Sequence, residues 1–207
     1  MIEADVPSAI DLRTMRDASQ WADEVSAKRP CRPAFFEAFA CELRGLSISD
    51  ASILELGSGP GFLAQYLLDR VGLQSYTAMD FSDAMHSLAK QRLGPKANAV
   101  TFLARDFLDP AWDEGLPLYS SVITLQAVHE LRHKRRAPGL YSQILPHVRS
   151  DGIFLMCDHY YGVGGMANSA LFMSEVEHVE ALTRAGFVGV TCVHKEGGMV
   201  LYRAKPA

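Results

Sequence analysis

The sequence has little of what a nucleic-acid or membrane protein needs. Its 20 Lys and Arg are outnumbered by 24 Asp and Glu, for a formal net charge of -4. Binding a phosphate backbone takes concentrated basic charge, so nucleic acid is not an expected partner. No apolar run approaches the roughly 18 residues of a membrane span. The acidic start, Met1-Ile2-Glu3-Ala4-Asp5, lacks the apolar core of a signal peptide, so a cytoplasmic chain without a membrane partner is expected. Cysteine is sparse: Cys31, Cys41, Cys157 and Cys192 stand apart with no C-x-x-C pair. That argues against a zinc site and against a disulfide framework, and no metal is expected. Repeats, low-complexity segments and linkers are missing too, so the 207 residues read as one domain. Nothing in the sequence bears on oligomeric state.

What the sequence does have is concentrated in Ile53-Leu54-Glu55-Leu56-Gly57-Ser58-Gly59-Pro60-Gly61-Phe62-Leu63. An apolar run ends at Leu56, glycine occupies every second position from Gly57 to Gly61, and helical apolar spacing follows through Leu63, Tyr66, Leu67 and Val71. This reads as strand, tight loop, helix. Glycine tolerates positive φ and lets a ligand approach where a Cβ would block it. A dinucleotide loop, G-x-G-x-x-G, wants a third glycine where Phe62 stands. A plain β-turn-α connection is the bland alternative.

Around that loop, residues 8–27 carry an apolar stripe from Ile10 and Leu12 to Trp21, Ala22 and Val25, as an amphipathic helix would. Pro30 and Pro33 break it, and a second helix is expected from Ala34 to Arg44. Residues 1–46 thus form leading helices and 47–207 the core. Residues 75–80 form a strand ending in Asp80, where an acid can accept from both hydroxyls of a ribose, and Ser82 caps a helix from Asp83 to Leu93. Strands at 100–104 and 120–125 end before Asp106-Phe107 and before Gln126-Ala127-Val128-His129-Glu130. The basic run 132–136 reads as a solvated helix start, followed by a helix from Pro138 to Val148 and a turn at Asp151-Gly152. A strand from Ile153 to Cys157 then ends in Asp158-His159. Residues 162–173, rich in glycine, read as a lid or pocket wall or as an ordinary connection. Ser174-x-x-Glu177 is a capping box for a helix to Ala185, and Val188–His194 with Met199–Arg203 form a closing hairpin.

Alternating strands and helices imply an α/β fold: a Rossmann-like, doubly wound, mostly parallel sheet with helices on both faces and a closing antiparallel C-terminal strand. Ligands of such sheets bind beyond the strand carboxyl ends. Glu55, Asp80, Asp106, Gln126, His129, Asp158 and His159 all fall there.

The loop E-L-G-S-G-P-G, the strand-end Asp80, the pair Asp106-Phe107 and the element order from about Ile53 to Arg203 resemble the class I S-adenosylmethionine-dependent methyltransferases, of the small-molecule type. The resemblance implies S-adenosylmethionine as cofactor, held by Glu55, Gly57, Ser58, Gly59, Gly61, Asp80, Phe81, Asp106, Phe107 and Gln126. Asp106 would meet the adenine amino group and Phe107 would pack on the ring. The leading helices would cap the site, with Arg29 and Arg32 either reaching the cofactor carboxylate or forming a solvated surface pair. The motif N/D-P-P-Y/F of adenine and glutamine methyltransferases is missing, which fits a small-molecule acceptor methylated on O, N or C. His129 is the candidate general base, with an unperturbed pKa of about 6.5, and His159 the reserve. Pocket lining is the alternative for His129, and Glu130 is expected to point elsewhere. Competing readings are a cofactor-binding module that does not methylate, a protein-directed methyltransferase, and a nicotinamide oxidoreductase. Phe62 and the missing Tyr-x-x-x-Lys pattern count against the last.

Overall fold

The computed structural model describes residues 4–46 and 51–207. Residues 1–3 of the acidic start, and the core boundary expected at residue 47, lie outside them. Seven strands form one sheet: β1 (Ser52–Leu56), β2 (Ser75–Asp80), β3 (Val100–Ala104), β4 (Tyr119–Leu125), β5 (Val148–His159), β6 (Phe187–Glu196) and β7 (Met199–Pro206). Their order is β3-β2-β1-β4-β5-β7-β6, parallel through β5, with β7 antiparallel to both neighbours. The expected fold class is the observed one.

Because side chains alternate across a strand, β1, β2, β4 and most of β5, buried on both faces, build two cores, while the edge strand β3 is only partly covered. Leu54, Leu56, Val122, Phe154 and Met156 pack on one side with α5 (Ala137–Ile144) and α6 (Glu175–Arg184). Ile53, Ile123, Leu155 and Cys157 pack on the other with α2 (Arg32–Arg44) and α3 (Phe62–Arg70). There α1 (Met15–Lys28) lies outermost, against α4 (Asp83–Leu93), through Ala18, Ala84 and Met85. The expected caps form: the Ser82 hydroxyl accepts from Met85 N–H, and Ser174 and Glu177 close a complete capping box.

Three local expectations are corrected. The first helix does not begin near residue 8 but at Met15, where Thr14 accepts the Asp17 N–H as N-cap. Residues 5–13 instead run along the sheet's carboxyl edge, and Ile10 is exposed although it fits the apolar stripe. The helix expected to reach Val148 ends at Ile144, and Asp151-Gly152 lies inside β5 rather than in a turn. The backbones crowd there: a Cβ on Gly152 would sit 2.6 Å from Ser120 O, beside a register shift between Tyr119 and Ser121. A glycine in a strand marking such a close approach is general. The closing hairpin turns on Gly197-Gly198, both at positive φ (56° and 78°), as a two-residue loop matched to strand twist requires.

The glycines after β1 differ in what they make room for. A Cβ on Gly57 (φ 67°) would lie 2.2 Å from Ala127 Cβ, and one on Gly61 (φ 78°) 3.0 Å from Ala89 Cβ. Both let the loop dock on protein. Only Gly59 among the three (φ 54°) faces open space, with nothing within 4 Å. Gly57→Ala should therefore destabilise the chain by about 1–3 kcal/mol from strain and overpacking, read as a lowered midpoint in denaturant unfolding. A midpoint equal to wild type would show that the contact with Ala127 is not tight.

Candidate functional site

A cleft opens at the carboxyl ends of β1, β2 and β4, lined by Gly57, Gly59, Asp80, Phe81, Phe107, Gln126, His129, Glu130 and His159 and walled by Trp21 and Val25 of α1. Asp80 is its best-defined acceptor. Oδ2 accepts from Gly59 N–H at 2.8 Å and Oδ1 from Ser82 N–H at 2.9 Å. Burial raises its pKa to about 6, against these two bonds. Each carboxylate oxygen keeps a second lone pair, which suits a ligand with two adjacent hydroxyls.

An adjoining cavity, lined by Phe81, Asp106 and Phe107, extends the cleft toward β3. Residues 5–13 close over it. Arg13 reaches Asp106 Oδ2 at 2.9 Å and lies 4.4 Å over the Phe81 ring, while Asp106 Oδ1 accepts Leu108 N–H at 2.9 Å. Leu12 O accepts the Ser82 hydroxyl. At the other end, Val6 N–H donates to Arg132 O, and Arg132 donates to Val6 O and Pro7 O. Asp5 pairs with Arg136 at 2.7 Å. The basic run 132–136 is thus not a solvated helix start: it anchors this strap, and Lys134 pairs with Glu177.

Glu55, near the end of β1, and Ser58 and Gly61 of the loop do not line the cleft. Glu55 points to the α2/α3 face, where it is 2% exposed and accepts Tyr76 O–H at 2.7 Å. Burial lifts its pKa to about 8, against the Tyr76 bond. Ser58 donates its N–H to Met79 O, and its buried hydroxyl finds no partner among the described residues. Of the two arginines, Arg29 lines the cleft, whereas Arg32 is buried behind Gln126 and is no solvated surface residue.

The histidines form the other half of the site. His129 stands on a 3-10 turn (Val128–Leu131) just past β4, and Asp158 is the second-last residue of the neighbouring β5. His129 Nδ1 lies 2.7 Å from Asp158 Oδ1, and its backbone N–H donates to Oδ2 at 2.8 Å. Glu130 does not point elsewhere: on the tight turn its Oε1 lies 3.4 Å from His129 Nε2. Burial opposes a cation here, but Asp158 and Glu130 outweigh it and hold His129 up to about 10. His159 is the opposite case, pushed down to about 4 by burial and by the neighbouring His129 charge against the pull of Asp158. Phe172, from the 162–173 segment, lies against both rings, at 5.5 Å from His129 and 5.7 Å from His159. That segment is pinned by Tyr161 N–H to Met173 O and Lys134 N–H to Ala170 O. Among the described residues no group of three or more His, Cys, Asp or Glu is placed to hold a metal, and no helix is long and apolar enough to cross a membrane.

Sequence reasoning missed the partnership of Asp158 with His129, the burial of Arg32, Phe172 and the strap. The first had a signal: His129 and Asp158 follow what the parallel pairing Leu125↔Cys157 makes adjacent strand ends.

A family model described as a methyltransferase domain matches residues 53–152. No curated protein matches the chain in sequence. Among solved structures, the chain is similar to DhpI in its SAH complex, at 20% identity and TM-score 0.70, over 93% of this chain and 95% of that one. It is similar to human N-acetylserotonin methyltransferase in complex with SAM, at 15% identity and TM-score 0.71, over 95% of this chain and 57% of that one. The glycopeptide N-methyltransferase MtfA complexed with SAM follows at 19% identity and TM-score 0.64, over 83% and 93%.

The His129 pairing has a pH signature. Its pKa is raised from about 6.5 in the unfolded chain to about 10 when folded, so the folded state holds the proton more tightly. The resulting stabilisation is complete below about pH 6.5 and is lost as pH rises toward 10. The melting temperature of wild type should fall more steeply from pH 7 to 10 than that of His129→Gln. Parallel curves would mean that the ring is not held as a cation.

Proposed function

We propose that this chain, which carries a class I S-adenosylmethionine-dependent methyltransferase domain, binds S-adenosylmethionine and methylates an oxygen, nitrogen or carbon nucleophile of a small molecule, releasing S-adenosylhomocysteine. The observation that carries this reading is the open face of Gly59 beside the doubly anchored carboxylate of Asp80. A Cβ would fill the cradle, and the carboxylate offers the lone pairs that ribose hydroxyls need.

The fit extends along the cleft. Asp106 would accept the adenine amino group, sharing Oδ2 with Arg13 or displacing it, and Phe81 and Phe107 would flank the ring. Gly57 and Gln126 line the stretch that leads from Asp80 to the histidines; of the cleft's Lys28 and Arg29, Lys28 pairs with Glu24, which leaves Arg29 to meet a carboxylate. Glu55, Ser58 and Gly61 would act from behind, by shaping the loop. The cofactor supplies a methyl already activated on a sulfonium. The chain's part is to hold a nucleophile in line, exclude water and manage a proton where the acceptor carries one. Walls from Trp21 and Val25 favour a small acceptor. The relatives whose complexes hold SAM or SAH, one a glycopeptide N-methyltransferase, support the same reading. We place the activity in the cytoplasm.

His129 is the proposed proton-handling group. Asp158 orients it through Nδ1, and Nε2 becomes available once an acceptor displaces Glu130. A ring held near pKa 10 acts as base through its deprotonated fraction, so the rate should climb with pH well past neutrality, not level off near 6.5.

Two measurements test the reading. Asp80→Ala should weaken S-adenosylhomocysteine binding by about 1–3 kcal/mol in calorimetry, while NAD shows no binding to wild type. Unchanged affinity in a folded variant would remove Asp80 from the site. With the acceptor in hand, His129→Gln should lose on the order of 10² to 10⁴ in kcat together with the pH-dependent rise. Near-normal turnover with the same profile would make His129 a pocket wall.

A further inference from the structure

Arg32 is 6% exposed; no carboxylate among the described residues is in ion-pair contact with it, and Glu55 attracts its charge only from further off. Aromatic faces surround it instead: its guanidinium carbon lies 5.6 Å from the Trp21 ring, 5.4 Å from Phe36 and 5.6 Å from Phe62. Such faces stabilise a cation where water is excluded. Arg32 does not line the cleft. It reaches it only through Gln126, to whose Oε1 its Nη1 donates.

This bond sets the direction of every hydrogen bond beyond it. A guanidinium can only donate, so the Gln126 amide must turn its oxygen toward Arg32 and its nitrogen away. That nitrogen lies 3.0 Å from His159 Nε2. An amide nitrogen also only donates, so Nε2 is the lone-pair atom of the ring and the proton sits on Nδ1. Nδ1 in turn lies 3.3 Å from Gly198 O, a carbonyl that can only accept. With the amide flipped, two donors would face each other at Arg32. Gln126 has little freedom to escape: its backbone is at φ 58°, rare for a non-glycine residue, and its N–H donates to Cys157 O at 2.8 Å. His159 is just as fixed, its N–H donating to Asp158 Oδ1 at 2.7 Å and its carbonyl accepting from His178 Nε2 at 3.2 Å. The charged or titratable groups around the ring are Asp158, His129, Arg29 and His178.

We infer that Arg32 is a positioning residue which, through Gln126, fixes His159 as the neutral Nδ1–H tautomer with both ring nitrogens engaged, and so withdraws it from proton transfer. In a ring so held no lone pair is free to take a proton from an acceptor. His159 then serves as a fixed wall, and the proton falls to His129. Only this last consequence rests on the methyl-transfer reading.

The test reads the ring itself, in the full chain without ligands. Histidine labelled with ¹⁵N gives the tautomer from long-range ¹H–¹⁵N spectra, with the His159 signals identified by their loss in His159→Asn. Wild type should show a protonated Nδ1 and a bare Nε2, unchanged between pH 6 and 8. Arg32→Met frees the amide to flip, so the Nε2–H tautomer should appear as a minor population that wild type lacks, limited by the Gly198 carbonyl that still favours a proton on Nδ1. Gln126→Glu accepts from both neighbours, so His159 should take a second proton and its titration midpoint should rise by roughly 2 pH units or more. A wild-type ring protonated on Nε2 would overturn the inference, as would folded Arg32→Met and Gln126→Glu variants that leave the ring unchanged. If Arg32→Met does not fold, the wild-type tautomer and Gln126→Glu still decide. The readout uses neither cofactor nor acceptor, so it can fail while S-adenosylhomocysteine binds, and binding can fail while it holds.

Discussion

The carboxylate of Asp80 is the joint on which this half of the cleft depends. One oxygen holds the Gly59 N–H of the loop after β1, the other the N–H of Ser82 at the head of α4. Ser82 caps that helix and also donates to Leu12 O in the strap. Three separate segments are thus aligned through two adjacent side chains. Burial costs Asp80 part of its ionisation, and the two backbone donors recover part of it.

The acids near the site are tuned in opposite directions by their company. Asp80 and Glu55 meet neutral donors in a poorly solvated setting, and their pKa values rise. Asp158 is buried as completely, yet its pKa falls to about 2, because the His129 charge and bond and the His159 N–H outweigh desolvation. The histidines mirror this. His129 sits between two carboxylates and keeps its proton, whereas His159, met by an amide and a carbonyl, stays neutral. The sheet makes this contrast possible by placing the ends of β4 and β5 side by side.

The strand ends were readable because two simple signals coincide there. Short, continuously apolar runs locate β1 and β4, an acid-terminated short strand locates β2, and Gly57, Gly59 and Gly61 punctuate the loop, which places Asp80, Gln126, His129 and His159 at one edge. What each glycine makes room for was not readable, since only the folded backbone shows Ala127 against one and open space beside another. Residues 8–13 mimicked a helix because apolar spacing cannot tell a buried stripe from a short run whose Ile10 stays exposed. The direction of Glu130 is not legible because adjacent residues fan out differently on a 3-10 turn than on an α-helix. Arg32 reads as a surface charge in any sequence, since its stabilisation comes from rings of three elements that meet only in the fold.

The strap has a consequence for the order in which the cleft is completed. It joins Arg132 to Val6, 126 residues apart, and Arg136 to Asp5, 131 apart. Contacts so distant along the chain carry a large loop-closure entropy and give nothing back until the intervening sheet exists. The neighbouring strands β1, β2 and β3 need far shorter closures, so they can assemble while the carboxyl edge is still bare. A growing chain has its N-terminal segment first and the residues that receive it much later. The cleft is accordingly a late product of folding, and a chain with a well-formed sheet is not yet a chain with a finished site.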